Sequence, residues 1–141
     1  MANSIIELDA VRALVSAEIF SRGRTLARSG AVGEMARRGD TISTQVEGSA
    51  PTPYRVTIRL APSGVADAQC TCPYEWGAHC KHVAAALIAV AEQPGAVRER
   101  PSVDELLAGL DKTALMDLIK RRGDLDQDFA LWVEAELTPS I

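Results

Sequence analysis

The chain has 141 residues, 47% of them hydrophobic, with 15 Lys and Arg against 19 Asp and Glu for a net charge of −4. That is material for one domain with its own core, with room for a small appendage, and it is not a disulfide-built miniprotein. No run of about 18 apolar residues occurs, and the opening MANSIIELDAVRALV carries Glu7 and Asp9 with no basic leader, so a cytoplasmic protein without a membrane partner is expected.

The frequent Ala and Arg suit a GC-biased, bacterial coding background. The charge is unevenly spread: residues 1–69 hold 8 basic against 7 acidic side chains, 70–100 hold 3 against 3, and 101–141 hold 4 against 9. Acidity therefore sits in the tail, and any nucleic-acid-facing surface is expected upstream of it.

Taken in chain order, residues 5–29 read as one helix, because Leu8, Val11, Val15, Ile19 and Leu26 share a face and Gly30 supplies a stop. Gly23 inside that pattern marks either a break or a close contact with another backbone. From residue 31 the period becomes two. Candidate strands at 31–37, 41–48, 53–61 and 65–71 are separated by RRGD, GSAPTP and APSG, which are turn compositions, so an antiparallel meander of three or four strands is expected. The segment KHVAAALIAVAEQ is a helix former, apolar on most sides, that must be covered by the sheet and the first helix. PGAVRERP reads as a linker. Ser102 and Glu105 then form a capping-box pattern, and Asp111 and Asp124 are expected N-caps of two further helices. The last of these presents Leu125, Phe129, Trp132, Val133 and Leu137 at helical spacing, with Phe129 and Trp132 expected in its core.

All three cysteines and both histidines fall within thirteen residues, CTCPYEWGAHCKH at 70–82. On a strand, Cys70 and Cys72 project from one face with Thr71 turned away. Pro73 ends the strand and YEWGA reverses the chain. Cys80 just before a helix and His82 in its first turn can then converge on the same point. Three thiolates and one imidazole are a tetrahedral zinc set, and the complete set leaves no place for a catalytic water. One structural Zn2+ held by Cys70, Cys72, Cys80 and His82 is therefore expected, with His79 a spare, exposed side chain beside it that could swap with His82. A redox dithiol or plain packing cysteines would not explain the returning C-x-H and its helix.

The C-x-C-x7-C-x-H order resembles the SWIM zinc-finger family, whose fold is a strand pair followed by a helix. All four ligand positions match, and VAAAL after them is similar to the family's alanine-rich helix. The likeness extends upstream through AEIFSRGRTLARSGAV and VEGSAPTPYRVTI, similar to the lead-in of bacterial SWIM proteins, giving a span of 17–92. Family members act as binding modules for DNA or protein, often joined to ATPases, nucleases or transposases, and no such catalytic segment is legible in these residues.

The expected architecture is α+β: an N-terminal helix, an antiparallel meander and a zinc-binding ββα element over 1–96, a linker over 97–101, and an acidic helical tail over 102–141. The expected role is binding rather than catalysis, with no small-molecule substrate. A nucleic-acid or nucleoprotein adaptor leads, contacting DNA through Arg24, Arg28, Arg55, Arg59, Lys81 and Trp76. A protein-interaction module docking through the 102–141 tail or the zinc element is the alternative, and an unrecognised hydrolase is a third. Each contact candidate has a plainer reading. Tyr74 and Trp76 can shield the metal rather than stack on bases, and the arginines can be a solvated surface.

Overall fold

The structure, a computed structural model, describes residues 6–73 and 79–138. Within them the chain divides into two compact units, one ending at Pro101 and the other beginning at Ser102.

The first unit begins with α1 (Leu8–Leu14) and α2 (Ala17–Arg28). One helix was expected here, and the break at Val15–Ser16 has a local cause. Ser16 takes an extended backbone and its hydroxyl accepts from the Ile19 amide, a capping hydrogen bond that competes with helix continuation. Three antiparallel hairpin connections then lay down β1 (Met35–Arg38), β2 (Thr41–Val46), β3 (Tyr54–Ala61) and β4 (Gly64–Cys70). The zinc-motif helix is α3 (Lys81–Glu92). After a 3-10 turn at Pro94–Ala96, Val97–Arg100 forms β5, which pairs parallel with β1. The order is β4-β3-β2-β1-β5, so the sheet has five strands with a parallel edge rather than the expected meander of three or four. Most of the expected linker is strand. The candidate strand at 31–37 starts late, at Met35, although Val32 bridges to Val46 ahead of it.

Strand alternation sorts the sheet into two faces. Ile42, Val46, Val56, Ile58, Leu60 and Ala68 point inward and are buried beneath α3. Thr44 shares that buried face, and its hydroxyl is satisfied by donating toward the carbonyls of Gly33 and Glu34 at 3.2 and 3.0 Å. Helix α3 is buried from His82 to Val90, as its apolar surround implied, because the sheet covers one side of it and α1 and α2 the other. Gly23 settles the open question about that residue. A Cβ there would lie 2.6 Å from Ala84 Cβ, 2.8 Å from Ala85 N and 2.9 Å from Ala84 C, so the glycine permits a backbone-close crossing of α2 and α3.

The second unit holds α4 (Val103–Leu107), α5 (Lys112–Leu125) and α6 (Gln127–Leu137). Ser102 and Asp111 cap as expected. The third cap is Asp126, whose carboxylate accepts from the Asp128 and Phe129 amides, while Asp124 lies inside α5. None of the described residues of this unit is buried. Phe129 and Trp132, expected as core, stack on each other at 5.8 Å with Trp132 still 58% exposed. Three short helices in some forty residues offer too little surface to enclose a core. No helix among the described residues is long and apolar enough to cross a membrane.

Candidate metal centre

Cys70 closes β4 opposite Val56, and Thr71 continues the ladder for one more residue. The Thr71 amide donates to the Arg55 carbonyl at 3.1 Å, and its hydroxyl accepts from the Arg55 amide at 3.0 Å. Those two bonds fix the parity of the strand end, so Cys70 and Cys72 both turn toward the helical side. The Cys72 amide further donates to Cys70 Sγ at 3.5 Å. On the returning segment Cys80 is the N-cap of α3 and His82 its second residue. Their approach is direct, with Cys80 Sγ 3.7 Å from His82 Nδ1.

One ligand atom from each of Cys70, Cys72, Cys80 and His82 lies within 4.8 Å of the other three. A tetrahedral zinc with sulfur at about 2.3 Å and nitrogen at about 2.0 Å has ligand–ligand edges of roughly 3.5–3.8 Å, so a contraction of about 1 Å at most closes the shell. The donor set, three soft thiols and an imidazole, fits one zinc ion and fills its coordination. Zinc bound there would tie the end of the sheet to the start of α3.

The imidazole is ready for that role, while the thiols must first give up protons. Burial pushes the Cys70 thiol up to about 12, and burial likewise raises Cys80, so these groups hold their protons until a cation replaces them. Burial, and then the Lys81 ammonium next to it, lowers His82, which keeps the imidazole in its neutral, metal-binding form. His82 is 5% exposed and its ring packs on Tyr54 at 4.6 Å. Its Nε2 is buried without a hydrogen-bond partner, as befits a ring held by its other nitrogen. Gly48 sits over this pair: a Cβ on it would fall 2.5 Å from the Tyr54 ring and 2.8 Å from His82 Nε2. Sequence reasoning missed Gly48 and Tyr54 as the packing that seats the histidine. Only the turn composition around Gly48 marked it at all.

His79 departs from expectation in being half-buried rather than exposed, with Nδ1 shut off from solvent and unpartnered. It does not join the four-ligand group. Replacing His82 by alanine should therefore lower zinc affinity by more than about 100-fold, beyond what loss of an outer-shell contact costs, and should lower the melting temperature. His79→Ala should retain one zinc per chain by metal analysis. The opposite ranking would overturn the ligand assignment.

The nucleic-acid contact candidates do not converge. Arg24 and Arg28 lie on α2 and Lys81 opens α3, on the helical side, where Arg28 already pairs with Glu92 at 3.4 Å. Arg55 and Arg59 are exposed on the opposite face of the sheet. Trp76, and Tyr74 with it, lies outside the described residues. The register adds Arg38, Arg98 and Arg100 to the side of Arg55 and Arg59; Arg98 and Arg100 went unnoticed because β5 was read as linker, and Arg38 because RRGD was read as a turn. VRER, with one apolar residue in four, offered no periodic signal for a strand.

Residues 54–91 match the family model of the SWIM zinc finger. The match spans β3, β4 and α3, the ββα element that carries all four ligands, and begins after the lead-in likeness at 17–53. No curated protein and no solved structure matches the chain.

Proposed function

Because the chain carries a SWIM zinc finger, we propose that it is a zinc-stabilised nucleic-acid-binding module, an adaptor to nucleic acid or nucleoprotein that performs no turnover of its own. The observation that supports the partner class is the open face of the sheet. Arg38, Arg55, Arg59, Arg98 and Arg100 stand there against Glu34 and Asp67, an excess of positive charge on one surface of a chain whose net charge is −4. The filled ligand set supports a structural rather than catalytic metal.

A protein-docking reading has an observation of its own. Every exposed large hydrophobic side chain among the described residues, from Val103 through Trp132 to Leu137, belongs to the second unit. The two readings separate by salt. The zinc-loaded 141-residue chain titrated into labelled oligonucleotides should bind at low ionic strength and weaken steeply as salt rises, with a log–log slope of about 0.9 per neutralised phosphate on duplex. Absence of binding at low salt would discard the nucleic-acid reading in favour of protein docking.

A further inference from the structure

The open sheet face is not a flat field of charge. In register, Arg100, Arg38, Thr41 and Arg59 form one row across β5, β1, β2 and β3, and Arg98, Ala36, Ser43 and Thr57 form the next. Small side chains thus separate the arginines. Between them runs a trough of about 460 Å³ floored by Ala36 and Ser43, with Arg38, Arg55 and Arg100 on its walls and Glu34 at its side. The Glu34 carboxylate is shared: one oxygen lies 3.1 Å from Arg98 Nε and 3.8 Å from Arg100 Nη2. Thr44 holds the Glu34 backbone in place from beneath. Arg38 spends one N–H on the Pro101 carbonyl at 2.8 Å, and the Arg55 guanidinium has no ion-pair partner among the described residues.

One carboxylate facing a group of guanidinium forks is an anion site that already contains a weak anion. All three members of the Glu34 contacts are more than half exposed, so the internal pairing is worth little. A phosphodiester offers the same two anionic oxygens and the same fit to the guanidinium fork, and on a strand it arrives with neighbouring phosphates and releases counterions, so it competes well for the same donors. We infer that the trough lined by Arg38, Arg55 and Arg100 takes a phosphodiester group of a nucleic-acid strand, which displaces the Glu34 carboxylate from Arg98 and Arg100. This deepens the nucleic-acid reading and rests on it. The sheet strands carry no aromatic side chain on that face to stack a base, so the site positions the backbone and does not read sequence. Glu34 acts as a built-in competitor that keeps the face from holding stray anions tightly.

The test uses the whole 141-residue chain, zinc-loaded, and fluorescence anisotropy with a labelled oligonucleotide of mixed sequence, as duplex and as single strand. Three variants are compared after zinc content and melting temperature show them folded. Arg55→Gln with Arg100→Gln should lose at least about tenfold in affinity and flatten the duplex salt slope by about 1.8, two phosphate contacts' worth. Glu34→Gln should bind about threefold more tightly, the scale of a lost exposed ion pair. Arg24→Gln with Arg28→Gln should bind like the parent. An unchanged or weakened Glu34→Gln variant overturns the inference, as does a sheet-face double variant that binds like the parent. If that happens while the α2 double variant loses affinity, nucleic-acid binding survives and this trough is not its seat. No binding by the parent chain at low salt ends the broader reading.

Discussion

Cys80→Ser, or withdrawal of the metal by a chelator, is expected to destabilise the first unit more than any other change to the zinc site. Cys80 is buried at the N-cap of α3, and zinc bound to it would join that cap to the end of β4. A ligand that binds only the folded chain and is present a thousandfold above its Kd contributes about 4 kcal/mol, and for a unit of this size that corresponds to roughly 20 °C in Tm. Calorimetry of loaded, chelated and variant protein measures it, with metal analysis expected to give one zinc per loaded chain. A chelated protein that melts with the loaded one would remove the metal from the folding of this domain.

The pH dependence has a definite sign. Because burial keeps the Cys70 and Cys80 thiols protonated and His82 neutral before loading, binding should release protons from those two thiols, and loaded protein should lose metal and stability on acidification. The lowered imidazole acts in the same direction, its contribution being present above its unfolded pKa and lost as pH falls through the folded value. The metal-free fold has an additional alkaline weakness. The Cys70 thiol, raised from an unfolded value of about 8.5 to about 12, contributes stability that is lost as pH climbs through that window.

Gly23→Ala is the second large effect, and its sign runs against helix propensity. Alanine in a helix interior is favoured by about 1 kcal/mol over glycine, yet here the new methyl would meet Ala84 Cβ at 2.6 Å and two backbone atoms of α3 at 2.8 and 2.9 Å. Backbone of a buried helix cannot step aside as a side-chain tip can, so α2 and α3 must separate, at a net cost of about 2 kcal/mol. The same substitution at Gly123, inside α5 with nothing within 4 Å, should leave stability unchanged or raise it. Thermal melts of the two variants decide the matter. A Gly23→Ala protein as stable as the parent would mean that the two helices are not in backbone contact.

What could be read from the sequence, and what could not, follows the range of the interactions. Cys70, Cys72, Cys80 and His82 lie so close along the chain that strand parity and a single helical turn suffice to bring them together. The alternation of Ile42, Thr44 and Val46 against Val56, Ile58 and Leu60 gave β2 and β3 for the same local reason. β5 was lost because its partner β1 is some sixty residues away, and no period in four residues announces a parallel pairing. That loss carried Arg98 and Arg100 with it. Gly23 was visible as an anomaly, but the neighbour that explains it, Ala84, belongs to another helix. Trp132 was assigned inward from helical spacing, which shows that a face is apolar and not that anything covers it.

The position of β4 at the outer margin of the sheet would give a bound zinc a role in solubility as well as stability. A marginal strand exposes a row of backbone donors and acceptors along its free side, and such rows recruit strands from other molecules. With metal bound, Cys70 and Cys72 pin the end of β4 toward α3, limiting how far the strand can straighten or peel to meet a neighbour. Without it, the Cys70 end of the strand would be held to β3 by its ladder alone, while the irregularity at Arg59 and Leu60 already loosens the pairing nearer the other end. Zinc starvation would then appear first as concentration-dependent clumping of still largely structured molecules, before any loss of helical signal.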